Sequence, residues 1–383
     1  MLLGKDKRLQ GLGGSVTMDE VKLDKAEATP GLSRRQFLTR TAMGGAGLAG
    51  AGLLAACATQ AATGAATGAA TGGGGNFPAH PNWKFTFVNH VTTNPFFVPT
   101  TYALEDACSV LKVSYQWTGS TSSNVTDMVN SINTAVSAGV DGIATCIVDP
   151  TAFDAPIAAA LAAGIPVVSY NADAPTPLVN TRMAYIGQDL YASGQAMGDQ
   201  IMKVVKSGLV AIGIATPGQL NIQPRFDGAQ AQIKASGLPI TVELVNTSAS
   251  VPNELSIVEA YYLGHTTMKG FYAVDAGSGE GIAETSRKYN FPSKGIHTGG
   301  FDLLPVTLTA IKDGFFGFTI DQQPYLQGFY PLVQLFLYKL SGGLMFPCDT
   351  STGLKFVTKS NVGLYLKGKS RFEGSTSKEL LIK

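Results

Sequence analysis

From residue 84 to residue 358 the chain alternates between two periods. Short runs rich in Val, Ile and Phe are each followed by a stretch whose apolar residues recur at helical spacing. Trp83 to Val88 precedes a helical pattern from Pro99 to Leu111. Val113 to Trp117 precedes Val125, Met128, Ile132 and Val136, and Gly142 to Val148 and Ile165 to Tyr170 flank a third helix from Ala152 to Ala163. The rhythm restarts after Ala184-Tyr185-Ile186-Gly187. It runs through Leu209 to Ile214, Ile240 to Val245, Lys269 to Val274, Gly295 to Phe301 and Gly317 to Ile320, then a long helix from Tyr325 to Leu340 and a last strand from Leu354 to Thr358. Strand–helix–strand units of this kind pair as parallel sheets with helices on both faces. Two successive sets predict an α/β protein of two doubly wound parallel-sheet lobes, with a cleft between them suited to a small molecule.

The 383 residues are 45% hydrophobic with a net charge of +1, enough to bury a sizeable core. The first 57 residues hold 8 of the basic and 5 of the acidic side chains, leaving 20 basic and 22 acidic residues in the remainder. A body near −2 offers no global electrostatic case for nucleic acid. Cysteines occur only at 57, 108, 146 and 348, so no disulfide framework is implied; Cys108 and Cys146 fall in apolar patterns as small buried hydrophobes.

The amino-terminal segment has its own logic. Ser33-Arg34-Arg35-Gln36-Phe37-Leu38 is followed by an uncharged stretch from Thr41 to Ala56, ending in Leu54-Ala55-Ala56-Cys57. A positive region, a mildly apolar region and small residues before a cut form a secretory signal. The paired arginines resemble a twin-arginine signal, and Leu-Ala-Ala-Cys resembles a lipobox, which makes Cys57 the expected lipidation site. The stretch is too short and glycine-rich for a spanning helix, which needs about 20 apolar residues. Gly45-Ala46-Gly47-Leu48-Ala49-Gly50 matches a dinucleotide fingerprint, but no strand precedes it, so it carries no such meaning. The Ala-Thr-Gly repeats from Ala58 onward bury almost nothing and predict a flexible tether.

Asn94-Pro95-Phe96-Phe97 lies in the loop at the carboxyl end of the first strand, where open α/β sheets bind ligands. Two aromatics beside an amide offer a flat apolar face and a donor–acceptor group, which suits a sugar ring. His90 ends the same strand and is either a ligand contact or a structural, hydrogen-bonded residue. Asp275 and Asp302 each follow an apolar run, as hydroxyl acceptors at strand tips or as N-caps of the next helix, the cap being the stronger rival at Asp302. Arg225 opens a helix, where a cation is electrostatically disfavoured, so another partner should hold it. Trp117 either lines the cleft or caps the core. No H-E-x-x-H, G-x-S-x-G or paired-cysteine metal spacing is present, so no catalytic residue, metal or cofactor is expected.

With these marks in order, the chain resembles the type I periplasmic sugar-binding proteins, the ribose-binding class in particular. The marks are Asn94-Pro95-Phe96-Phe97, Ile165-Pro166-Val167-Val168-Ser169-Tyr170-Asn171, Arg225-Phe226-Asp227-Gly228, Asp275, Gly300-Phe301-Asp302 and Thr319-Ile320-Asp321-Gln322-Gln323-Pro324. The resemblance covers roughly residues 84 to 360. It implies three interlobe crossovers, near Gly187, Gln322 and Ser351: signal 1–57, linker 58–80, lobe one 81–187 with 323–351, lobe two 188–322 with 352–370, and tail 371–383. It implies that Phe96 and Phe97 stack on a sugar while Asn94, Asn171, Arg225, Asp275, Asp302 and Gln322 contact its hydroxyls, the lobes closing on it as a hinge. Many ribose-class members carry Asp-Arg where this chain has Asn171-Ala172-Asp173, which points to a neutral ligand other than ribose; Asp173 either replaces the lost acceptor or starts a loop. The implied role is capture of a monosaccharide or small polyol for an ABC permease by a monomeric body. That body would be tethered through lipid in the periplasm or at the outer face of the cell membrane. The alternative is a receptor serving a chemoreceptor or sensor kinase.

Overall fold

The computed structural model describes residues 77–174 and 181–367. The export signal, Cys57, most of the linker and the 371–383 tail lie outside these residues.

The first half builds β1 (Lys84–Asn89), α1 (Val98–Leu111), β2 (Ser114–Gly119), α2 (Val125–Ser137), β3 (Gly142–Thr145), α3 (Asp154–Ala162), β4 (Val167–Tyr170) and β5 (Tyr185–Gly187). The second half builds α4 (Leu190–Val204), β6 (Gly208–Ile214), α5 (Gln223–Ala235), β7 (Ile240–Asn246), α6 (Val251–Gly264), β8 (Gly270–Ala273), α7 (Ala276–Tyr289), β9 (His297–Phe301), α8 (Pro305–Asp313) and β10 (Phe318–Asp321). The chain then returns through α9 (Pro324–Leu340) and β11 (Thr350–Ser351) before β12 (Lys355–Thr358) and α10 (Gly363–Leu366).

Two six-stranded sheets result, ordered β11-β5-β4-β3-β1-β2 and β12-β10-β9-β8-β6-β7. All pairings are parallel except β10 with β12. Strands β3, β4, β8 and β10 are buried along their whole length. Helices cover both faces, so these strands carry no alternating buried and exposed pattern. β5 and β11, three and two residues long, are too short to show a period of their own.

The chain passes between the sheets after β5, between β10 and α9, and between β11 and β12. A buried amide network ties the last two of these crossings together. Gln327 Nε2 donates to the Gln322 carbonyl and to Thr352 Oγ1, both at 3.1 Å, and Thr352 Oγ1 donates to the same carbonyl at 2.8 Å.

Helix α4 sets the position of α5. A Cβ on Gly194 would lie 2.1 Å from the Arg225 carbonyl oxygen, and one on Gly228 would lie 2.2 Å from that of Tyr191. Glycine at both positions lets the two backbones touch and fixes the start of α5, which carries Arg225.

Candidate functional site

The carboxyl ends of both sheets face each other across a cleft of about 530 Å³, counting its open mouth. The lobes meet at its edge. Ser123 Oγ donates to Gln219 Oε1 at 2.5 Å, Gln219 Nε2 donates to the Ser123 carbonyl at 3.0 Å, and Leu220 N donates to the Val148 carbonyl at 2.9 Å. These bonds hold the two lobes together across the cleft.

The loop after β1 makes one wall. Asn94 Oδ1 accepts from Phe96 N at 2.9 Å and starts a 3-10 turn over Pro95–Phe97. This places Phe96 and Phe97 edge to face, 4.7 Å apart, in a small apolar cluster with Ala276 and Leu304 of the opposite lobe. Trp117 does not line the cleft; it backs Phe97 at 5.9 Å and donates from Nε1 to the Thr92 carbonyl. His90 stands edge-on to Phe97. Burial, with the Arg225 charge adding, pushes its imidazole down to about 3, so it is neutral at physiological pH.

The other wall is polar. Arg225 is 2% exposed. Nη1 donates to the Val274 carbonyl at 2.9 Å and Nη2 to Gln188 Oε1 at 3.2 Å. These bonds are the partners that offset a cation at a helix start. Burial lowers the guanidinium pKa, opposed by the charges of Asp302, Tyr185 and Asp275. Asp302, at φ 74°, accepts from Gln322 Nε2 at 2.8 Å; burial pushes its carboxyl up to about 6 against the pull of Arg225 and that bond. Asp302 does not cap α8, whose N-cap position is Leu304. The capping carboxylate is Asp275, which accepts from Ser278 N at 2.9 Å at the start of α7 and from Ala215 N at 3.0 Å. The rivalry between cap and acceptor falls on the other aspartate from the one the sequence favours.

Asn171, also at positive φ, donates from Nδ2 to Gln327 Oε1 at 2.9 Å and to Gln322 Oε1 at 3.4 Å. Gln322 thereby links Asn171 of one lobe to Asp302 of the other. Asp173 is not in this set. Its carboxylate is bound by the Arg182 guanidinium in a separate hollow with Asp349, because Arg182 claims both of its oxygens.

The structure thus brings His90, Asn94, Phe96, Phe97, Asn171, Arg225, Asp275, Asp302 and Gln322 to one cavity and leaves Asp173 out. It adds Ser123, Thr216, Asn221 and Glu254, which the sequence did not single out. Thr216 and Asn221 look like ordinary loop residues, and Glu254 like a favourable acid in a first helical turn. Among the described residues, four buried polar atoms of lining residues have no protein partner: His90 Nδ1, Thr216 Oγ1, Asn221 Oδ1 and Arg225 Nε.

Two parallel-sheet lobes joined by three crossings, with a polar cleft between their strand tips, define a type I periplasmic binding protein, a class that binds solutes and is not enzymatic. The chain belongs to the family described as periplasmic binding protein domain, whose model matches residues 85–342. It is 49% identical over 315 residues to the xylose/arabinose-binding protein XylF of Sulfolobus acidocaldarius, covering 79% of this chain and 77% of that one. Among solved structures it is similar to an ABC transporter solute-binding protein from Burkholderia graminis in complex with D-arabinose, at TM-score 0.68 and 27% identity over 74% of this chain and 98% of that one. A carbohydrate transporter protein from Acidothermus cellulolyticus in complex with myo-inositol gives TM-score 0.66 and 26% identity over 75% and 98%.

Proposed function

We propose that this protein captures a neutral pentose, xylose or arabinose, in the cleft and presents the closed form to the permease of an ABC importer. The observation that carries the reading is the set of four unpartnered polar atoms, a mixed group of donors and acceptors buried in one cavity. Buried polar groups need partners, and a molecule with a hydroxyl on nearly every carbon supplies them. The Phe96–Phe97 wall suits the C–H face of the ring. Asp302 and Asp275 set two carboxyl groups against the single Arg225 charge, so the wall has no cation to spare for an anionic sugar acid. The relative's xylose/arabinose name and the D-arabinose complex favour a pentose. The amino-terminal motifs support export with a lipid anchor at Cys57, which would hold a monomeric body near its permease.

Ligand bridging both lobes stabilises the closed state through its higher affinity for that state. Calorimetry and thermal shift on the full chain with xylose, arabinose, ribose, myo-inositol and glucuronate test this. Xylose or arabinose should bind most tightly and raise the melting temperature, with glucuronate silent. A protein that responds to none of the neutral sugars, or best to glucuronate, would contradict it. Lost pentose uptake in a deletion strain supports the transport role; intact uptake with a lost transcriptional or chemotactic response points to the receptor role instead.

A further inference from the structure

The described part of the chain begins at one corner of lobe one. Phe77 sets its ring edge-on to Phe336, near the end of α9, with centroids 5.2 Å apart, and His80 and Trp83 pack on the same ring. Trp83 directly precedes β1, so this corner lies at the amino ends of the strands, away from the cleft. The loop between α9 and β11 turns at the same corner. Gly342 and Gly343, at φ 64° and 91°, take it sharply out of the helix, a backbone path that glycine adopts without strain. Met345 N donates to Ser341 Oγ at 2.8 Å, and Phe346 stands edge-on to Tyr338 at 6.1 Å, so the loop is held against the helix end. At its tip Leu344 is 90% exposed, Met345 53% and Phe346 63%. Among the described residues no other three consecutive large apolar side chains are exposed, and isolated ones are ordinary on a protein surface. No charged residue occurs from Ser341 to Cys348, and the charges that flank the loop are paired, Lys339 with Asp141 at 3.2 Å and Asp349 with Arg182 at 3.6 Å. Nineteen residues separate Phe77 from Cys57. A lipid on Cys57 is therefore joined to the body through this corner, which raises the local concentration of bilayer at the tip.

We propose that Leu344, Met345 and Phe346 insert into the interfacial layer of the bilayer that holds the Cys57 lipid, so that lobe one stands on the membrane at the corner where its tether begins. This rests on the lipid-anchor reading and not on the identity of the sugar. Apolar side chains bind an interface in proportion to the area they bury there, and an uncharged tip needs no anionic headgroup to hold it. The cleft, at the other end of the strands, is then kept clear of the lipid, and delivery to a permease requires the tip to withdraw.

The test uses the mature, lipidated chain in phosphatidylcholine vesicles, with the Cys57 lipid established from the intact mass. Phe346→Trp places a fluorophore at the tip, and Leu263→Trp places one at an exposed position of α6 in lobe two. After subtraction of the wild-type signal of Trp83 and Trp117, bromine on the lipid acyl chains should quench the tip tryptophan about threefold more than the one at position 263. Adding Leu344→Ser and Met345→Ser should abolish that difference. Equal quenching at the two positions overturns the proposal. So does a blue-shifted tip tryptophan that bromine does not reach, the result of burial against a second copy of the chain. If the mass shows no lipid, the anchor reading fails and the tip is tested alone. Co-sedimentation of the full chain with the same vesicles should then fall about threefold in Leu344→Ser/Met345→Ser/Phe346→Ser, and equal co-sedimentation overturns the insertion.

Discussion

The Arg225 guanidinium carbon lies 4.2 Å from the centre of the Phe301 ring. Phe301 ends β9 and Asp302 follows it directly, so one strand end supplies both the flat support for the cation and its counter-charge. One hydrogen bond from each Nη group goes to protein, while among the described residues the buried Nε has no partner.

Arg225→Lys tests this arrangement. Lysine keeps the charge near Asp302 but has no planar fork to lie on Phe301 while bonding Val274, Gln188 and a ligand together. Pentose affinity measured by calorimetry should fall by roughly 10- to 100-fold, since a hydrogen bond to a charged group contributes about 1.5–3 kcal/mol. Circular dichroism melting separates this from loss of fold. An unchanged dissociation constant would remove Arg225 from the binding set.

Asp302 predicts a pH dependence. Its folded carboxyl is raised to about 6, above the value of an unfolded aspartate near 3.9. The folded state therefore holds the proton more tightly, and this group's contribution to stability declines as pH rises from about 4 to about 6, then levels off. Asp302→Asn lacks that decline, so denaturant melts of the two proteins should diverge only in this window. Pentose binding runs the other way where the ionised acceptor is needed: affinity should drop about tenfold between pH 7 and pH 5 in wild type. Flat titrations across that range would contradict the assignment.

Gln219 predicts a shift in lobe opening. It makes two hydrogen bonds to Ser123 across the mouth of the cleft. Gln219→Ala removes both, each contributing about 1 kcal/mol, while touching no residue of the aromatic or carboxylate walls. Small-angle scattering of the ligand-free variant should show a larger radius of gyration than wild type, with pentose affinity reduced by about fivefold or more. Identical scattering curves would mean that these contacts do not bias closure.

Much of the fold was legible because its signals are local. The short, mostly apolar runs at Gly142–Thr145 and Gly270–Ala273 and the helical spacing through Val125–Ser137 follow from what each segment must bury. The short strands β5 and β11 were not, because two or three residues carry no period and exist only through their neighbours in the sheet. In the cleft, Asn94, Phe96 and Phe97 could be singled out as a group because they are contiguous in the chain. Glu254 could not, since only the packing of α6 on α7 brings it to Ser278 and into the cavity lining.

By itself the sequence determined the alternation of strand and helix, the division into two sets and the loops that end at strand tips. These depend on side-chain period and turn chemistry within a few residues. Only the tertiary structure decided that Asp275 caps a helix while Asp302 turns toward Gln322 and Arg225, and that Asp173 is held by Arg182 away from the cleft. The physical reason is that an aspartate's role is set by the donors that reach it in space, and apart from Ser278 N, which lies in the helix Asp275 caps, those donors, Ala215, Gln322 and Arg182, lie on other segments of the chain.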